Sequence, residues 1–400
     1  QKKIFFKLYY GAIYVAESIS KLPGKDKYQL NKKAIDFYRS TGLIIPPTTL
    51  FKGIYRVPVG FKFCEIVQDF VLEKKLICEG EKTIDLLGEI IRNNYKYNEV
   101  NLLFSGGADS SLILYLLRKY NSKIKINSIF FNSGGIKEDF KRAKKLSNLL
   151  KSELKEIVPI KVDSKEVEKF IIEQTINLKE LIYEPLLFTV NSIFKEIDDY
   201  SVIFDGQGAD TVLGGLPHHL LIQIYKLTFI RFLSKVGFFS VLKNFLIPFK
   251  NKSRLFYRIH KLIISLNQKN ISSCLLNSLT SGNNSFKNNE VFLMQERILN
   301  IYFNEYNETS AVSLFFLSII SSREIQKYKL NKKLIYCLPY LEANFIHHCL
   351  SIPNDFKCKF NKRKILIINY LNSVLPLKYS SSQQLPFEPH TSHVLSKTNK

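Results

Sequence analysis

The 400-residue chain has no tryptophan, a single methionine, and only 35 acidic residues against 58 lysines and arginines. Richness in Lys, Ile and Asn without Trp is a composition that nucleotide bias alone can produce. The formal charge of +23 therefore favours phosphorylated ligands, nucleic acid or an anionic membrane without choosing among them. Six cysteines, Cys64, Cys78, Cys274, Cys337, Cys349 and Cys358, form no CxxC pair. The pairs His218-His219 and His347-His348 lack the i, i+4 spacing that lets two imidazoles meet one metal from a helix face. A disulfide framework and a transition-metal site are thus not suggested, and a reducing cytoplasm is expected. The longest uncharged apolar run, "AVSLFFLSIISS" from Ala311, falls short of the ~20 residues a bilayer span needs and reads as a buried helix. The first residues mix charged and apolar types without a small-residue cleavage site, so no secretory signal is expected; the start at Gln1 reads as a fragment or a processed form.

What the chain does contain is alternation. Residues 1 to 19 read as two short strands turning at Gly11, followed by a short helix near Leu30 to Tyr38 and the Pro- and Gly-punctuated "IIPPTTLFKGIYRVPVGF". An amphipathic helix from about Thr83 to Tyr95 leads into strands at 100–104, 126–131, 154–160 and 201–205. Helical patterns lie between them at about Ser110 to Lys119, Lys137 to Lys151, Lys165 to Gln174 and Glu184 to Glu196. Continuously apolar strands alternating with helices predict an α/β fold with a doubly wound parallel sheet covered on both faces. Beyond Asp210 strands are no longer expected: the remainder reads as a mainly helical region, with a mobile loop at 277–290.

Ligands of such sheets bind beyond the carboxyl ends of the strands, and two strand ends carry unusual sequences. In "FSGGADSS", Gly106 and Gly107 allow close backbone approach, while the first helical N–H groups and the hydroxyls of Ser105, Ser110 and Ser111 can cradle phosphate oxygens. Asp109 would repel that phosphate unless a divalent ion stood between them, which argues for Mg²⁺. A plain turn with a helix cap would use the same residue types. The second loop, "VIFDGQGADTVLGG", again ends an apolar strand in glycines, Gly206 and Gly208, and offers Asp210 as a second metal-binding carboxylate. Two such loops from one sheet are hard to explain as turns.

"SGGADSS" resembles the pyrophosphatase loop (PP-loop) of enzymes that cleave ATP to AMP and pyrophosphate, and "DGQGADTVLGG" resembles the second signature of one branch, the asparagine synthetase family. "YVAESISKL" and "PPTTLFKGIYRVPVGF" are similar to the end of that family's glutaminase domain and its linker. "CLPYLEANFI" resembles its Pro-Phe-Leu-Asp segment, with Glu342 for Asp, and Lys364 falls at its phosphate-contacting lysine, with Lys362 and Arg363 as alternatives if the register slips. The resemblance implies a β remnant and linker over 1–75 and a synthetase domain over 76–400, its sheet at about 98–215 and its helical part at about 216–400. It also implies ATP and Mg²⁺ as cofactors, with Asp109 and Asp210 holding the metal, Gln207 and Lys364 as catalytic residues, and Phe131 and Asn132 beside adenine.

By this resemblance the chain adenylates a carboxylate, aspartate or a related acid, and lets nitrogen displace AMP. Besides Glu342, three further positions depart from the pattern: Gln207 stands where Glu is common and cannot take a proton, Thr211 replaces Glu, and Ile368 replaces Arg. The family's glutaminase nucleophile is an N-terminal cysteine, whereas residue 1 is Gln. Expected partners are therefore a small-molecule carboxylate and ammonia or an amine donor, with a homo-oligomer as a further candidate; nucleic acid is not expected. Alternative readings are an amine-conjugating or cyclising relative (lactam, lasso-peptide or surface-sugar amidation), a tRNA-modifying PP-loop enzyme, and a degenerate scaffold. The segment 227–250, aromatic and aliphatic with Arg231, Lys235, Lys243 and Lys250, is read first as a core helix pair with snorkelling lysines. An anionic membrane surface is its alternative partner, which would make the cytoplasmic location membrane-peripheral.

Overall fold

In a computed structural model, residues 4–24, 28–64, 69–72, 82–93, 97–131, 137–157, 164–178, 186–249, 253–280, 289–331, 333–360 and 362–379 are described. The chain forms two compact units that do not follow chain order. One gathers Gln1–Lys75, Gly214–Ile319 and Pro353–Phe360; the other gathers Leu76–Leu213, Ile320–Ile352 and Asn361–Lys400.

The second unit holds a five-stranded sheet in the spatial order Ile335–Cys337, Val202–Phe204, Glu99–Leu103, Lys125–Phe131, Glu153–Ile157, every neighbour parallel. Its central strands are apolar on both sides, as burial under two helical layers requires. On one face Ile129 and Ile203 pack against Val190, Ile193 and Phe194 of the helix Leu186–Lys195. On the other, Phe130 meets Phe140 of the helix Lys137–Leu149 edge to face at 5.2 Å. The sheet is doubly wound. The strand Ile335–Cys337 corrects the expectation that strands end after Asp210. It is only three residues long and lies more than a hundred residues beyond its neighbour in sequence, so no local alternation announced it.

The chain winds outward from Glu99–Leu103 through Lys125–Phe131 to Glu153–Ile157, then returns to place Val202–Phe204 on the opposite side of the first strand. That reversal is a topological switch point, where the loops after two adjacent strands diverge and leave a crevice. The two glycine loops follow those two strands.

In the first unit, Phe5–Tyr9 pairs antiparallel with Ala12–Ala16 and with Ile54–Arg56 around a small core of Phe5, Leu22 and Ile54. The helix Lys32–Thr41 starts at Asn31, whose side chain accepts from the Ala34 N–H, and stops at Gly42. Buried polar bonds tie these first residues to the later helices. Gln295 donates to the Ile45 carbonyl at 2.7 Å, Arg56 donates to the Ser318 carbonyl, and the Tyr302 hydroxyl donates to that of Val59. Ala311, Val312, Leu314, Phe315 and Leu317 are buried within the helix Glu308–Leu330. Residues 281–288 of the expected loop lie outside the described residues, and 277–279 complete the helix Ile271–Leu279 instead.

The segment 227–250 forms the helices Thr228–Lys235 and Phe238–Leu246, but they are not a core pair: Phe229, Phe232, Val241 and Phe245 are exposed. Their outward positions are as apolar as their inward ones, so periodicity could not say which side was covered. Among the described residues, no single helix is long and apolar enough to cross a membrane.

Candidate active site

The strand Glu99–Leu103 runs into Phe104, Ser105, Gly106 and Gly107 and then the helix Ala108–Tyr120. Gly107 caps that helix without a side-chain hydrogen bond, so the first-turn N–H groups carry no side-chain cap and remain an anion-binding end. The turn is held from within: the Gly107 N–H donates to the Ser105 hydroxyl at 3.2 Å, and the Ser105 N–H donates to that of Ser110 at 3.3 Å. Ser110 and Ser111 are buried, whereas Ser105 is exposed.

The second loop leaves Val202–Phe204 through Asp205, Gly206, Gln207 and Gly208 into the short helix Ala209–Val212. Asp205 folds this turn by accepting the Gln207 N–H at 3.0 Å, and it also accepts the Tyr336 hydroxyl from the edge strand. A Cβ at Gly206 would lie 3.3 Å from both the Asp109 Cβ and the Ser110 nitrogen, so glycine there lets the second loop lie directly on the first. Gly208 has φ +99°, and a Cβ would fall 2.5 Å from Leu341. Leu341 belongs to the turn Pro339–Leu341, whose fully buried Tyr340 donates its hydroxyl to the Asp109 carbonyl at 3.0 Å. That turn therefore touches both loops.

The loops converge on one cation. Lys364 Nζ lies 2.6 Å from Asp109 Oδ2 and 2.6 Å from Asp210 Oδ1. Exposure rises across the triad, from 3% for the Lys364 side chain through 20% for Asp109 to 51% for Asp210, so the site opens on the Asp210 side. Lys364 caps the helix Ile365–Val374 from the left-handed region, φ 52° and ψ 41°, a conformation that costs a non-glycine residue about 1–2 kcal/mol. The two carboxylates hold that conformation in place. Burial pushes the Asp109 carboxyl up to about 6, opposed by the Lys364 ammonium and reinforced by Asp210. Burial alone would lower Lys364, yet the paired carboxylates hold it above the ordinary lysine range.

Two carboxylates against one ammonium leave negative charge at the mouth of the site, and Asp109 Oδ1 is buried without a hydrogen-bond partner. An orphaned carboxylate oxygen beside a half-exposed one suits a hard divalent cation that takes its remaining ligands from phosphate and water. Among the described residues, no three His, Cys, Asp or Glu gather as a metal cage. The donor set therefore fits a phosphate-borne Mg²⁺ better than a resident structural metal.

Of the residues singled out in the sequence, Ser105, Gly106, Gly107, Asp109, Ser110, Ser111, Gly206, Gln207, Gly208, Asp210 and Lys364 belong to these two loops and the helix start that meets them. Lys364, not the exposed Lys362, bridges the aspartates. Phe131 ends the strand Lys125–Phe131, and Asn132 lies outside the described residues. Glu342 only precedes the helix Ala343–Ser351 and is exposed. Tyr340 and Asp205 were missed, although both stand within quoted stretches; a hydroxyl-bearing ring after Pro339 was the available signal for the first.

A sequence model of the family described as Asparagine synthase matches residues 95–398. No curated protein matches the chain. Among solved structures, an NH3-dependent NAD synthetase from Campylobacter jejuni is 21% identical over 33% of this chain and 57% of its own, with a TM-score of 0.24. The chain thus spans little more than half the length of that relative. The U34-tRNA thiolase NcsA from Methanococcus maripaludis is 13% identical over 74% of this chain and 90% of its own, with a TM-score of 0.23. With residues 95–398 matched, well over half of its length, the chain belongs to the asparagine synthase family.

Proposed function

We propose that the chain is an ATP-dependent, AMP-forming amide ligase that adenylates a carboxylate and transfers nitrogen to it. The observation that carries this reading is the meeting of Asp109 and Asp210, from two adjacent strand ends, on the buried Lys364. In this reading the uncapped helix start at Ala108 and the exposed hydroxyl of Ser105 receive phosphate oxygens, with Ser110 holding the loop from beneath, whereas the fully buried Ser111 hydroxyl is not presented to a ligand. Mg²⁺, held by Asp109 and Asp210, would neutralise charge on the departing pyrophosphate. Lys364 adds a fixed positive charge at the same point, preorganised by its two ion pairs rather than recruited from solvent.

The first step forms a bond from a substrate carboxylate oxygen to the α-phosphorus of ATP and releases pyrophosphate. In the second, an amine nitrogen attacks the activated carbonyl, AMP leaves with the bonding electrons, and the proton shed by the nitrogen goes to the departing phosphate or to water. Gln207 would orient that nitrogen through its side-chain carbonyl and would not accept its proton. Residues 1–75 are read as the tail and linker of a glutaminase-like domain. The nitrogen donor in this reading is ammonia or an amine.

The test is ATP–pyrophosphate exchange across carboxylic acids, aspartate first, because exchange requires the right acid to be adenylated. Asp109→Asn and Asp210→Asn should each abolish it, whereas exchange surviving in both would refute the assignment of the two carboxylates. No exchange with any acid would favour the degenerate scaffold. Turnover with ammonia against turnover with amines then separates an asparagine-synthetase-type reaction from a conjugating or cyclising one.

A further inference from the structure

Three consecutive helices of the first unit carry apolar side chains on the outside at helical spacing. They are Phe229 and Phe232 along Thr228–Lys235, continued by Val236 at its C-cap; Phe238, Val241 and Phe245 along Phe238–Leu246; and Leu255, Ile259 and Leu262 along Arg254–Leu266. Steps of three and four residues put each trio on one helix face. These are not core residues left over at an edge: Phe229, Val241 and Phe245 are 67, 72 and 66% exposed. A separate set, Phe239, Leu246, Ile263 and Ile264, does the inward packing. The helices lie side by side in chain order, and Phe249 bridges the last two by stacking at 5.9 Å on both Phe245 and Phe256. The stripes therefore belong to a continuous region, which a soluble surface rarely shows without a use.

Charge indicates what covers it. Between Asp210 and Glu290 the sequence has no Asp or Glu at all, yet eleven Lys and Arg. At the chain-wide proportion of 58 cations to 35 anions, roughly half a dozen carboxylates would accompany them. A general excess of lysine accounts for the cations but not for the missing acids. Lys235 and Arg258 are exposed at the flanks of the apolar stripes, whereas Lys243 is half-buried on the far side of its helix, toward Phe239 and Leu246. The helices Thr228–Lys235 and Phe238–Phe249 meet at a 75° bend, so together they do not make one straight span.

We propose that this face is a docking surface for an anionic lipid bilayer, with the aromatic and aliphatic stripes set into the headgroup boundary and Lys235 and Arg258 against lipid phosphates. The three helices that carry the stripes have no carboxylate for a uniformly negative lipid surface to repel, an absence that a protein partner of ordinary surface composition would not require. The proposal is independent of the reaction read above, since it rests on another unit and other residues.

Flotation of the full chain with vesicles tests it. Vesicles of phosphatidylcholine with phosphatidylglycerol should carry the protein upward at low salt and less so at high salt, whereas phosphatidylcholine alone should carry little. Lys235→Gln and Arg258→Gln together should weaken partitioning about thirtyfold. Phe229→Asp with Phe245→Asp should abolish it while circular dichroism melting stays unchanged. No flotation with acidic vesicles, or equal flotation with neutral ones, would overturn the proposal. So would a concentration-dependent dimer in sedimentation that the same Phe→Asp pair dissolves, which would give the face to a second copy of the chain.

Discussion

The strand-end loops and the outer face of the helices between Thr228 and Leu266 handle charge in opposite ways. At the loops, charge is taken out of water and balanced to within one unit by Asp109, Asp210 and Lys364. On the helices, apolar side chains stand in water and the charges the three helices themselves carry have one sign. Buried opposite charges are sensitive to single changes, because removing one leaves another unpaired in a low dielectric. A one-signed exposed surface instead adds small, salt-dependent contributions. The loops should thus fail at a single substitution, and the helical face only by degrees.

The largest effect expected is on chemistry: Asp109→Asn or Asp210→Asn should lower ATP–pyrophosphate exchange by at least 10²–10³-fold, as loss of an electrostatic group at the reacting phosphate does. Next is Lys364→Met, which leaves Asp109 and Asp210 facing each other and should cost about 3–5 kcal/mol in urea unfolding as well as exchange. Lys364→Gly separates the two roles, because it relieves the left-handed backbone and recovers about 1 kcal/mol relative to Met while exchange stays lost.

A third contrast is pH. Burial pushes the His218 imidazole down to about 4 and holds His219 well below its ordinary range, with Lys357 and His218 adding to the latter. Both are neutral in the fold and protonate near 6.5 in the unfolded chain. The contribution of these two imidazoles is therefore complete above that pH and is lost as pH falls from 6.5 through about 4, roughly 3 kcal/mol from His218 alone, offset in part by Asp109, whose raised carboxyl gains stability as pH falls through about 6. Urea midpoints at about pH 7 and about pH 5 should diverge, and His218→Phe should narrow the gap. Tyr340→Phe should cost about 1 kcal/mol by releasing the Asp109 carbonyl, with a modest loss of exchange. The smallest change is Phe229→Asp, which should leave stability within about 0.5 kcal/mol because the ring makes no core contact in the fold.

Much of the catalytic region was legible because its signals are local. An apolar strand that stops at Ser-Gly-Gly-Ala-Asp-Ser-Ser and resumes as a helix already specifies a loop, a helix start and a carboxylate at one end of a sheet. The structure adds the mutual position of two such ends through the pairing of Asn101 with Ile203 and Leu102 with Phe204. The strand Ile335–Cys337 was not legible, since three residues cannot establish a period. Tyr340 was passed over because its part in the site is a bond to a backbone carbonyl, and backbone acceptors leave no mark in a residue pattern.

Sequence alone determined the alternation of strands and helices, the two glycine loops and the carboxylates they carry, because each depends on neighbours within a few residues. Tertiary structure decided which strands lie side by side, that Lys364 rather than Lys362 reaches both aspartates, and which face of the helices after Leu227 is left uncovered. Those outcomes depend on contacts between residues far apart in the chain, and a periodic pattern reports that a face is apolar without reporting what lies against it.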